Sequence, residues 1–63
     1  MEIRKYRKKQ GLTQAEVAKK MGVAPSTVTQ WETGARRPNV GQVLQLAETL
    51  GCSLDELFGA SKS

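Results

Sequence analysis

Apolar side chains recur along this chain in steps of three and four, and the repeats are broken by Gly11, Gly22, Gly34 and Gly51. That period belongs to helices with one face turned inward, and a glycine just past each run is a helix stop. Five helices are predicted. The first covers about residues 2–10, with a thin apolar face of Ile3 and Tyr6 followed by Leu12 in the loop. The second starts after Thr13, an N-cap with Glu16 three residues on to complete a capping box, and ends at Met21. The third covers about residues 25–33, with Pro25 in the first helical position, where no N–H is needed. Ala24 then takes the N-cap and supplies no capping oxygen, a local defect of about 1 kcal/mol. The fourth follows Asn39 and reaches Leu50, with Val40, Val43, Leu44, Ala47 and Leu50 as its predicted inner stripe. The fifth is short. Ser53 caps it, Glu56 closes the box, and Leu54, Leu57 and Phe58 are expected to pack inward. The small polar tail, residues 59–63, is expected to fray.

The segment from Gln14 to Thr33 carries the most information. Val17 and Met21 form the inner stripe of one helix, and Val28 and Trp31 that of the next. Ala18 is small where two helix axes would cross. Gly22 can take positive φ at the turn, and Val23 plugs it. This mask is the helix-turn-helix pattern, in which the second helix is free to enter the major groove of DNA.

Charge strengthens that reading. The 63 residues carry a formal net charge of +4, and the sequence pI is about 9.7. Residues 1–38 hold nine Lys or Arg against three acids, while residues 39–63 hold one against three, so the halves stand at +6 and −2. A polyanion is expected to approach the first half. The length suits one small domain, and the short apolar runs leave no room for a large sandwich or barrel. No apolar stretch approaches the length of a membrane span, and no signal-peptide pattern is present. The single Cys52 allows no internal disulfide and no thiolate metal cluster. It reads as a small core residue in a reducing cytosol. The chain has no His, the usual general base and commonest metal ligand. Neither an enzyme, a metal site nor a cofactor is expected, and no small-molecule ligand or membrane partner is evident.

With Val28 and Trp31 facing the core, the opposite face of the third helix holds Ser26, Thr29, Gln30 and Thr33. Gln30 is the best reader, because its amide donates and accepts at once and so matches the N6/N7 edge of adenine. Ser26 and Thr29 are short, versatile donors and acceptors. Thr27 lies on the flank, within range of backbone or base. Pro25 and the threonine methyls suit a thymine methyl. Phosphate contacts are expected from Gln14, at the N-terminus of the second helix, and from Thr33, Arg36, Arg37 and Asn39 around the following loop. Lys5, Lys8, Lys9, Lys19 and Lys20 read as a diffuse positive field.

Leu12-Thr13-Gln14, Gly22-Val23, Trp31-Glu32-Thr33-Gly34, Arg37-Pro38 and the run from Leu50 to Phe58 stand in register. Together they resemble the Cro/cI-type helix-turn-helix family over about residues 2–58. The resemblance implies an all-α, compact five-helix, lambda-repressor-like domain that binds operator DNA, usually as a homodimer. It implies a phosphate contact at Gln14, and an ion pair between Arg7 and Glu32 that ties the first helix to the third. The chain departs from the family's common pattern at Ala24, where a hydroxyl cap is more usual, and at Pro25, where a polar side chain often reaches a base. One recognition helix reads only a few base pairs, so a two-fold dimer on a pseudo-palindrome is expected, joined around Cys52 to Phe58. A second reading stays open: an antitoxin or other protein-interaction module that meets its partner through Leu54, Asp55, Leu57 and Phe58.

Overall fold

The computed structural model describes residues 1–59. It contains α1 (Ile3–Lys9), α2 (Gln14–Met21), α3 (Pro25–Thr33), α4 (Val40–Leu50) and α5 (Leu54–Phe58), with no strand among the described residues. Apart from Gly59, the tail expected to fray lies outside them.

Most helix starts are fixed by nearest neighbours. The Thr13 hydroxyl accepts from the Glu16 amide at 3.1 Å, and the Thr13 amide donates to the Glu16 carboxylate at 2.8 Å. Ser53 and Glu56 repeat the arrangement at 3.1 and 2.9 Å. Asn39 opens α4 in the same way, using the Gln42 side chain as its partner. At Ala24 no side chain caps α3, and Pro25 occupies the first turn.

The ends of α1, α2 and α4 share one device. Gly22 and Gly51 take left-handed backbone, at φ 73° and 66°. The next residue's amide then reaches back to a carbonyl in the last turn, Val23 to Ala18 and Cys52 to Ala47, each at 3.0 Å. Leu12, after Gly11, reaches Arg7 likewise. Leu12, Val23 and Cys52 are partly buried against the core, so each turn carries its own apolar plug.

The core draws on every helix: Ile3 from α1, Val17, Ala18 and Met21 from α2, Val28 and Trp31 from α3, Val43, Leu46, Ala47 and Leu50 from α4, and Leu57 from α5. Of the seven positions of the helix-turn-helix mask, Val17, Ala18, Met21, Val28 and Trp31 are buried, Val23 packs partly buried against the core, and Gly22 takes left-handed backbone. Two expectations are corrected. The inner stripe of α4 is Val43, Leu46, Ala47 and Leu50. Leu46 is fully buried, whereas Val40 is 78% and Leu44 53% exposed. In α5 only Leu57 packs inward, while Leu54 and Phe58 are 39% and 53% exposed. Both helices carry apolar arcs wider than the face their neighbours can cover, and the surplus lies on the surface.

Candidate nucleic-acid interface

The interface is built on the α2–α3 unit. Burial of Val28 and Trp31 fixes the rotation of α3. Pro25, Ser26, Thr29 and Thr33 are exposed on it, and Thr27 and Gln30 are half-buried at the edges of that face. The loop after α3 carries Arg36 and Arg37, both exposed, and the Arg36 amide donates to the Gln30 carbonyl at 3.1 Å. The loop is therefore held against the last turn of the helix that it follows.

Behind this face runs a continuous polar chain. Arg7 Nε donates to Glu32 Oε2 at 2.7 Å, and Arg7 Nη2 to Glu32 Oε1 at 3.3 Å. The two side chains are 11% and 7% exposed. Arg7 Nη1 also donates to the Leu12 carbonyl at 2.9 Å, so the guanidinium spans α1, the loop after it and α3. Gln14 Nε2 donates to Glu32 Oε1 at 3.0 Å, and Gln14 Oε1 accepts from the Thr29 hydroxyl at 2.8 Å. Burial works to raise the Glu32 pKa, but the hydrogen bonds from Arg7 and Gln14 and the positive charges of Arg7 and Arg4 outweigh it. The net result holds the carboxyl below its ordinary range. Glu16 and Glu56 are also lowered, chiefly by the backbone amides of Thr13 and Ser53 in their capping boxes.

Several side chains expected at DNA already have intramolecular partners. Gln14 uses its amide to join Thr29 and Glu32, which leaves a phosphate to the second amide hydrogen or to the first-turn backbone of α2. The Thr33 hydroxyl donates to the Gln30 carbonyl at 3.2 Å and accepts from the Ala35 amide at 3.4 Å. Asn39 Oδ1 is committed to the α4 cap, so its amide nitrogen is the group that can donate outward. Lys5 and Lys9 lie over the Tyr6 ring, 5.4 and 5.8 Å from its centroid. Burial and the charge of Glu56 push the Cys52 thiol up, away from the reactive thiolate.

Sequence reasoning did not find Gln42 or Gln10. The spacing Asn39-x-x-Gln42 is itself a capping-box signal. Gln10, whose amide donates to the Leu50 carbonyl at 3.0 Å across the ends of α1 and α4, has no local signal.

A second surface lies beside the basic loop. A groove of about 570 Å³ is lined by Met1, Trp31, Pro38, Val40, Val43, Leu44, Leu54 and Phe58, with Arg36 and Arg37 at its rim. It gathers the surplus apolar residues of α4 and α5. No helix among the described residues is long and apolar enough to cross a membrane.

Known proteins show the same pattern. A family model described as helix-turn-helix matches residues 3–57. An uncharacterised HTH-type transcriptional regulator of Sinorhizobium fredii is 42% identical over 55 residues, covering 87% of this chain and 72% of the relative. Another, from Archaeoglobus fulgidus, is 36% identical over 56 residues, covering 89% and 80%. Repressor protein C2 of Salmonella phage P22 is 40% identical over 56 residues, which are 89% of this chain and 26% of the repressor. No solved structure matches significantly.

Proposed function

The chain belongs to the Cro/cI-type helix-turn-helix family of DNA-binding transcriptional regulators, and from that premise we propose that it is a repressor acting on a pseudo-palindromic operator. The observation that carries this reading is the polar face of α3, turned outward by Val28 and Trp31 and flanked by the Arg36–Arg37 loop. Pro25, Ser26, Thr27, Thr29 and Gln30 face the bases in the major groove. Arg36 and Arg37 grip phosphates, assisted by Asn39 and the N-terminus of α2 around Gln14. Thr33 serves mainly to close α3.

The repressor works as a homodimer, and the apolar groove that α4 and α5 form with Met1 and the loop after α3 is its contact surface. This refines the site expected from sequence. Val40, Leu44, Leu54 and Phe58 supply the exposed apolar area, whereas Cys52 is partly buried in its own turn. The occupant is a second copy because the operator needs two readers. Pro25, Ser26, Thr29 and Gln30 do not line the groove, so a partner seated there leaves the outward face of α3 open to DNA.

Selection of sites from a random duplex pool tests the reading. The expected consensus is an inverted repeat with half-sites about 34 Å apart, one helical turn. Gln30→Ala should cost about 1–3 kcal/mol on that site and relax one base pair. Arg37→Ala should weaken all duplexes alike and reduce the log–log salt slope by about 1. An unchanged consensus with Gln30→Ala would remove Gln30 from base reading. Binding that stays flat from low to moderate salt would exclude a backbone-gripping mode.

A further inference from the structure

The Thr29 hydroxyl ends a hydrogen-bond chain whose direction is set from its buried end. Arg7 has only donors, so the Glu32 carboxylate facing it can only accept. Gln14 must therefore turn its NH₂ toward Glu32, at 3.0 Å, and its oxygen toward Thr29, at 2.8 Å. The reversed amide would set its oxygen against the carboxylate. The other polar atom in reach of Thr29 Oγ1 is the Pro25 carbonyl at 3.3 Å, again an acceptor. Whichever neighbour takes the proton, it points inward. A threonine hydroxyl has one proton and two lone pairs, so what this exposed side chain turns outward is lone pairs and a methyl group.

We propose that Thr29 is a specificity residue that reads DNA as an acceptor only, taking a hydrogen bond from the exocyclic amine of adenine or cytosine in the major groove. The inference rests on the reading of α3 as the recognition helix. It narrows that reading, because a free threonine hydroxyl serves either polarity whereas this one discriminates. The oxygens of guanine and thymine, and the phosphates, all require a donor. Gln14 acts as a positioning residue, transmitting the polarity of the Arg7–Glu32 pair to the DNA face.

The test begins with the consensus selected by the unaltered protein. It then compares that protein with Thr29→Val, which keeps the shape and the methyl group and removes the oxygen. Thr29 is exposed, and a melting curve checks that the variant folds. At one base step the unaltered protein should prefer adenine or cytosine. Removing the amine there, with purine for adenine or 2-pyrimidinone for cytosine, should weaken binding by about 3–10-fold, as loss of one neutral hydrogen bond does. Thr29→Val should bind both duplexes equally and show no preference at that step. A uniform loss on every duplex would mean that the hydroxyl donates to a phosphate, and would overturn the proposal. So would a Thr29-dependent preference for guanine or thymine, or a consensus unchanged in Thr29→Val. If the unaltered protein selects no duplex from the pool, the reading of α3 itself fails and the proposal falls with it.

Discussion

Glu32→Ala should remove about a third or more of the protein's folding stability. The substitution leaves the Arg7 guanidinium largely buried and without its carboxylate, and also strips Gln14 of its acceptor. Breaking one side of a buried pair costs about 3–5 kcal/mol. A chain of 63 residues has about 3–9 kcal/mol of stability in all, at ordinary values per residue. Arg7→Ala should cost a similar amount by stranding the carboxylate. The double variant removes both charges and should cost clearly less than the two single effects added. Urea unfolding of the four proteins measures this coupling. Additive free energies would show that neither charge depends on the other.

The same pair sets the acid limit. The Glu32 pKa is lower in the folded protein than its ordinary value, so its contribution to stability is complete above that ordinary value, about 4.3. It is lost as pH falls through the lower folded value, because the unfolded chain then takes up the proton more readily. Glu16 and Glu56 shift in the same direction. Stability should therefore fall steadily below about pH 4.3. Glu32→Gln should show a shallower fall over that range in an acid titration followed by circular dichroism. Equal slopes would remove Glu32 from the acid transition.

Leu44→Asp should separate folding from operator binding. Leu44 lies on the exposed side of α4, away from the core, so the melting temperature should change little. The carboxylate would enter the apolar groove where the second copy is proposed to sit. Loss of the linked second half-site should lower affinity for the complete operator by about 10²–10⁴-fold, the usual scale of bivalent gain. Affinity for a duplex with one half-site should fall far less, by no more than the effect of one carboxylate near the Arg36–Arg37 loop. Titrations on the two duplexes decide it. Equal, unchanged affinities would place the dimer contact elsewhere or leave a monomeric reader.

The register of α4 shows where sequence reasoning stops. Val43, Ala47 and Leu50 belong to both possible stripes, one completed by Val40 and Leu44 and the other by Leu46. A pattern of spacings weighs these alike, and only the position of the neighbouring helices buries one and exposes the other. The α2–α3 unit was legible because its constraints are local: apolar residues three and four apart, a glycine at a turn, a cap three residues before its partner. The Arg7–Glu32 pairing was implied only by family resemblance, since 25 residues separate the partners. The role of Gln14 was not legible at all. Its residue type suits a phosphate contact and a buried amide equally, and the choice depends on which side chains α3 brings alongside it.

The locally written helix ends also have a kinetic meaning. Capping boxes and glycine turns form between residues close in the chain, so little loop entropy is lost in making them. The bond from Gln10 to the Leu50 carbonyl, spanning 40 residues, closes a far larger loop, as does the Arg7–Glu32 pair. A φ-value near zero for Arg7→Ala or Glu32→Ala would place these contacts after the main barrier to folding. Their strength would then govern how long a folded molecule persists more than how quickly one forms. The ion pair behind the recognition helix would thus act as a brake on unfolding.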